Sequence, residues 1–263
     1  MTQLSVRDQA IEHLDKGRER ILTALPALID KDRFYEIAVN LVRTNTDLSR
    51  CTPHSIAMAI YGCARLGLMP DPSLGHVYVV PFGEVATVVP GYMGFIELAR
   101  RSGKIGAIHT ELVYDGDDFD YYVDEHGPHI MHRPGWTTTS QVIGGYCVAQ
   151  MTDGTTQIER MTIEEIEKRR TKSGIWTKWP KEQMRKTLVK SARKYWPLSP
   201  ELAYAAQLDN QAEIGERQAI SPQLDDVGHP PAADSGTDPL LQEAIGTAAG
   251  IGDENAEPPE GKA

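Results

Sequence analysis

The sequence predicts an α+β fold: N-terminal helices, a central antiparallel β-sheet built from hairpins, a basic C-terminal helix and a disordered acidic tail. Three observations predict it. Apolar residues recur at helical spacing up to residue 66, alternate or run between turn dipeptides from 76 to 161, and thin out beyond about Leu208. With 263 residues, 40% of them hydrophobic, the chain can bury a core.

Taken in order, Ser5 caps a helix reaching about Leu14, and Ile21, Leu22 and Leu25 continue the pattern to Pro26. A further helix follows Asp30, with Phe34, Ile37, Ala38, Leu41 and Val42 on one face. Thr52-Pro53 is an N-cap followed by proline at the first helical position. That helix, with Ile56, Ile60, Cys63 and Leu66 as core, stops at Gly67. GHVYVVPFGEVATVVPG reads as a hairpin joining residues 76 to 82 with 85 to 89 across Gly83-Glu84, and YMGFIELARRSG as a short helix ended by Gly103. Strands are expected near 105 to 114, 119 to 123, 129 to 133, 143 to 151 and 156 to 161. Asp115-Gly116 and Asp153-Gly154 are dipeptides that close hairpins, so adjacent strands should be antiparallel. Thr162 and Glu165 form a capping box opening a helix to about Arg170. A Lys-, Ser- and Gly-containing linker leads to the basic helix, which Pro197 terminates.

Residues 1 to 208 are expected to form a single domain and 209 to 263 a flexible acidic tail, since the latter are rich in Pro, Gly, Ala, Asp and Glu and lack Phe, Trp and Tyr. Within the tail, Asp238 can cap a short helix over 238 to 249 whose Leu240, Leu241, Ala244 and Ile245 either dock a partner or form a transient helix with no role. From Pro200 to Ala263, 13 acids face Arg217 and Lys262, a net charge of −11, which leaves +1 for residues 1 to 199 of a chain at −10. The acidic balance therefore does not argue against nucleic acid. Cys51, Cys63 and Cys147 lack C-x-x-C spacing and suggest reduced thiols. No apolar run approaches membrane-spanning length, and Met1 to Asp15 lacks the apolar core of a signal peptide.

The most informative stretch is basic. Between Lys168 and Tyr195 eleven basic residues face one acid, Glu182. Met184, Leu188, Ala192 and Tyr195 make an apolar helical stripe, while Lys186, Lys190 and Lys194 make a charged one at i, i+4, i+8. Like charges at that spacing repel, so an anion should lie along the face, and a polyphosphate backbone is the obvious candidate. A lysine-rich helix face is usually only a solvated surface. Here neutralising acids are nearly absent and Trp176 and Trp179, which can stack on bases, lie just upstream. Lys172, Lys178, Lys181, Arg185 and Arg193 join the candidate DNA contacts.

Other chemistry is weakly supported. No G-x-x-x-x-G-K-[ST] phosphate loop is present, so ATP-driven strand exchange has no visible nucleotide site. Asp115, Asp117, Asp118 and Asp120 lack calcium-loop spacing and read as a hairpin turn, although a metal-dependent nuclease built on them remains the alternative from another class. His126, His129 and His132 recur every third residue, which on a strand alternates faces and does not converge on one ion.

Three stretches, GLMPDPSLGHVYVVPFG at 67 to 83, PGYMGFIELARRSGKI at 90 to 105 and WTKWPKEQMRKTLVKSARKYWPLSPE at 176 to 201, closely resemble the RecT single-strand annealing proteins of phages and prophages. The resemblance runs from residue 20 to 205 in the same order and fades in the tail. It implies an ATP-independent, non-enzymatic protein of the bacterial host cytoplasm that anneals complementary strands in homologous recombination and DNA repair. It further implies that residues 1 to 208 bind single-stranded DNA and the annealed duplex and assemble as a homo-oligomeric ring or helical filament. A 5′ to 3′ exonuclease and the host single-strand-binding protein are the implied partners, with no membrane, no required cofactor, and Mg2+ as a modulator of DNA binding. The family's basic positions fall on Arg185, Lys186, Lys190 and Lys194. Arg100, Arg101 and Lys104 in the second motif are the next candidates, against the plain alternative of cations capping a helix C-terminus. Tyr92 and Phe95 are candidate stacking platforms, against the alternative of core. Trp196 stands where the family usually has leucine, and Pro180 where it often has an acid. A non-annealing coat for single strands is the third reading.

Overall fold

The computed structural model describes residues 4–135, 141–171, 174–218 and 220. Four helices open the chain: α1 (Val6–Lys16), α2 (Arg18–Ala24), α3 (Lys31–Thr44) and α4 (Pro53–Leu66). Ser5, Asp30 and Thr52 each accept a backbone N–H at the start of α1, α3 and α4, satisfying one of the donors a helix leaves free. Leu14, Ile21, Phe34, Ala38, Ile56, Ile60, Cys63 and Leu66 are buried together, so most residues chosen by spacing are the core of this part, while Leu22 and Ile37 are only half-buried.

The strands form three antiparallel sheets rather than one. β1 (Val77–Phe82) and β2 (Val85–Pro90) make a hairpin, β4 (Asp118–Asp124) and β5 (Gly127–Arg133) make another, and β3 (Ile105–Tyr114), β6 (Val142–Met151) and β7 (Thr156–Thr162) pair in the order β3-β6-β7. The reading of Asp115-Gly116 as a turn between paired strands is thereby corrected. That turn leads from β3 into β4, but β3 pairs with β6, from Ile105 opposite Met151 to Tyr114 opposite Val142. Asp117 explains the detour, because its carboxylate accepts the N–H of Tyr114 at 2.8 Å and of Gly135 at 2.7 Å and so draws together the two ends of the β4–β5 excursion. Asp153-Gly154 does close β6 on β7, with Gly154 at φ +88°.

Helices then cover the sheets. α5 (Tyr92–Arg100) lies hard against residues 75 and 76, where a Cβ on Gly91 would sit 2.1 Å from the Gly75 carbonyl oxygen and one on Gly94 2.1 Å from that of His76. Only glycine permits this approach. After α6 (Ile163–Glu167) and α7 (Gly174–Lys178), α8 (Pro180–Ala192) crosses one face of the three-stranded sheet, its Leu188 filling the space left by Gly145 on β6, where a Cβ would meet it at 2.7 Å.

The chain past Leu208, expected to be flexible, continues in a regular way. α9 (Pro200–Ile214) ends at Gly215 in the left-handed region, φ +75°. Beyond it Gln218 takes the Val88 N–H at 2.8 Å and donates to the Val88 and Leu208 carbonyls at 2.6 and 2.8 Å, while Ser55 takes the Ala86 N–H at 3.0 Å. Ile220 is buried close to Gly62. Residues 209 to 218 and 220 are therefore part of the packed body. The helix expected over 238 to 249 lies outside the described residues. No helix among the described residues is long and apolar enough to cross a membrane.

Candidate nucleic-acid interface

The cations of the basic stretch divide into two groups along α8. In its C-terminal half the charged stripe is already neutralised from within. Lys186, 6% exposed, is ion-paired with the fully buried Asp209 of α9. Lys190 Nζ lies 2.7 Å from Asp209 Oδ2, off hydrogen-bond geometry and hence a Coulombic contact, and 2.8 Å from Glu213. Just past α8, Lys194 reaches Glu159 of β7 at 3.3 Å, and Arg193 lies 5.8 Å over the Phe95 ring. Burial lowers the Arg193 pKa, with Asp209 and Glu213 acting against the shift. The expectation that Lys186 and Lys190 form an open face is corrected. An anion does lie along the stripe, as the repulsion requires, but it is the pair of carboxylates on α9. Asp209 and Glu213 stand at i, i+4, the same spacing as the lysines they meet, and that match is visible in the sequence.

The N-terminal half is open. Lys178 and Lys181 are exposed, with Lys178 Nζ 5.9 Å from the Trp179 ring and Lys181 Nζ 5.0 Å from the Tyr114 ring. Trp179 is 55% exposed. Arg185 is held loosely between Glu111 at 3.7 Å and Glu182 at 3.8 Å. Tyr78 of β1 faces the same region: burial raises its pKa first, and Tyr92 and Glu182 lie close enough to add to the shift. The close seat of α5 on residues 75 and 76 brings Met93 beside Tyr78, since a Cβ on Gly75 would touch both the Tyr78 hydroxyl and Met93. Lys178, Lys181 and Arg185 thus share one face with Tyr78, Tyr92, Met93, Tyr114 and Trp179. Tyr78, Met93 and Tyr114 escape a sequence reading because three separate elements bring them here.

The remaining candidates fall elsewhere. Trp176 is 5% exposed and packs in the core with the Arg170 guanidinium 5.7 Å from its ring, so it offers no platform to a base. Phe95 is fully buried. Arg101 donates to the carbonyls of Leu66 and Gly67 at 3.1 and 2.8 Å and pairs with Glu97 at 3.2 Å, which closes the end of α4. Arg100 and Lys104 are exposed, and Lys172 lies outside the described residues.

The aspartate cluster and the histidines serve the β4–β5 hairpin. Asp117 is held below the ordinary carboxylate pKa by the Gly135 and Tyr114 N–H groups and by His132. Asp118 pairs with Arg133 at 3.2 Å, and His129 with Asp124 at 2.8 Å. His132 contacts Asp117 and the Tyr146 hydroxyl, each at 3.1 Å. Among the described residues no three His, Cys, Asp or Glu side chains converge on a point that a metal ion could occupy. The three cysteines are buried and unpaired, and burial pushes the Cys63 and Cys147 thiols up to about 12.

Among known proteins, residues 32–222 match the model of the RecT family. The chain is 35% identical over 212 residues to Protein RecT of Escherichia coli (strain K12), spanning 75% of this chain and 78% of that protein. It is 29% identical over 85 residues to the uncharacterized protein YqaK of Bacillus subtilis (strain 168), spanning 32% of this chain and 30% of that one. The matched region takes in both halves of α8 and the carboxylates of α9.

Proposed function

We propose that this chain, which belongs to the RecT family, holds single-stranded DNA on the face at the N-terminal end of α8 and anneals it to a complementary strand. Membership gives it a recombination-related, single-strand annealing role. The observation that carries the finer reading is the convergence of Lys178, Lys181 and Arg185 with Tyr78, Tyr92, Met93, Tyr114 and Trp179 on one accessible surface. Lysine and arginine contacts to phosphate are sequence-neutral, and aromatic faces stack on any base. Arg185 is suited to the exchange, because the two carboxylates beside it hold it at 3.7 and 3.8 Å, longer than a charge-assisted hydrogen bond.

Pairing itself supplies the free energy. Stacking contributes about 1.4 kcal/mol per step, so a match of about ten pairs releases on the order of 14 kcal/mol without nucleotide hydrolysis. On this reading the protein needs no cofactor, Mg2+ only modulates DNA binding, and no bond is made or broken by the protein. It works in the bacterial cytoplasm as a ring or helical filament, which multiplies weak contacts along the strand, beside a 5′ to 3′ exonuclease and the host single-strand-binding protein.

The test is the double variant Lys178→Ala/Lys181→Ala. Binding of a labelled single-stranded oligonucleotide, followed by fluorescence anisotropy across a salt series, should weaken, and the salt slope should fall by about 0.7 for each lysine removed, with helical content unchanged. Annealing of two labelled complementary strands should slow in parallel. Unchanged affinity at moderate salt would remove this face from the binding path.

A further inference from the structure

β4 and β5 form an arm with no core of its own: none of the residues in these two strands is buried. The arm is held at its base. Phe119 stacks on Tyr146 with ring centres 5.9 Å apart, His132 contacts Asp117 and Tyr146, and the Arg160 guanidinium lies 5.0 Å over Tyr121. Past Tyr121 the interactions among the described residues are internal to the tip. Tyr122 stacks on His129 at 4.9 Å, and Asp124 accepts the His126 N–H and pairs with His129. Tyr122, Val123 and Met131 remain 49%, 64% and 42% exposed. A lone two-stranded hairpin is marginal in water, and apolar side chains on both of its faces signal a surface that something else covers.

Charge selects what covers it. From Asp115 to Arg133 six acids face a single arginine, a net charge of −5 with neutral histidines, which repels a polyphosphate and suits a cationic protein surface. This chain carries such a surface just past α6. Lys168, Arg169 and Arg170 follow α6 in direct succession. Lys168 and Arg169 are exposed and make no ion pair among the described residues, while Arg170 is shared with Glu167 at 3.1 Å.

We propose that the acidic β4–β5 arm of one subunit docks on the Lys168–Arg170 lip of a second copy of this chain. The two surfaces differ, so the contact is head-to-tail. It repeats from subunit to subunit and closes into a ring or runs on as a filament. The inference rests on the assembly in the proposed function and names the surface that makes it.

Charge reversal in the full chain tests it. Asp115→Lys/Asp120→Lys/Glu125→Lys takes the arm from −5 to +1 without touching the contacts that hold its base, and Lys168→Glu/Arg169→Glu takes the lip from +3 to −1. In sedimentation velocity without DNA, the wild type should run as an oligomer and each variant as a monomer with unchanged helical content by circular dichroism. An equimolar mixture of the two variants should regain the wild-type sedimentation coefficient, because each arm then meets a lip of opposite sign. Variants that assemble like the wild type, or a mixture that stays monomeric, would overturn the docking while leaving the DNA face untouched. A wild type that is itself monomeric would overturn the assembly reading and the docking with it.

Discussion

The two halves of α8 carry the same charge and meet different fates. Lys186 and Lys190 sit over α9, where Asp209 and Glu213 neutralise them. Lys178 and Lys181, just before and at the start of the helix, stand in the open beside aromatic rings. The difference lies in what packs opposite. A buried ammonium is tolerated only with a partner, so the C-terminal half is fixed by the fold, and the N-terminal half stays open to solvent. Charge density along a helix therefore marks candidates, and the facing helix decides among them.

The strongest way to break the contrast is to remove α9's contribution. Ending the chain after Leu208 strips away Asp209, Glu213, Gln218 and Ile220 and should abolish cooperative thermal unfolding followed by circular dichroism. Ending it after Ile220 should leave the melting curve unchanged. It also removes nine acids against Lys262 from the end of the chain, so oligonucleotide affinity at low salt should rise. A narrower break is Asp209→Ala, which leaves Lys186 buried without its counter-charge. Urea unfolding should show a loss of about 3–5 kcal/mol, and Lys186→Met/Asp209→Leu should recover most of it. The smallest effect belongs to Lys194, whose side chain is 52% exposed. Lys194→Ala should cost less than about 1 kcal/mol. Burial acts to lower the Lys194 pKa, but Glu159 and Tyr195 outweigh it and hold the folded value above that of an ordinary lysine. The pair's contribution is therefore complete below the unfolded pKa of about 10.4 and is lost as pH rises through the folded value. Wild type and Lys194→Ala should differ by a constant amount from neutral pH to about 9 and converge on the alkaline limb of the stability profile.

Much of the fold is legible in the chain because its local signals agree. Thr52-Pro53 and Gly67 bound α4, Thr162 and Glu165 open α6, and apolar alternation marks the β1–β2 hairpin. α9 leaves no stripe in the sequence because its apolar residues are spread around the helix and include many alanines. Yet Ser199-Pro200-Glu201 carries a helix start, with Ser199 accepting the Leu202 N–H. The pairing of β3 with β6 was hidden for another reason: a turn dipeptide states that the chain reverses, not which strand it reverses onto. The open face shares that limit. Lys178, Lys181, Arg185 and Trp179 follow from composition and spacing and Tyr92 from the family resemblance, whereas Tyr78 and Tyr114 arrive from β1 and β3 through tertiary packing.

Gln218 has a consequence beyond the register of the chain's end. The outer rim of β2 would otherwise present bare amide and carbonyl groups to any extended polypeptide that drifted past, which is how sheets recruit unwanted strands and aggregate. One carboxamide at Val88 and one hydroxyl at Ala86 occupy those sites. An extended segment is thereby denied this rim as a place to add a strand, which removes one route to fibrous misassembly.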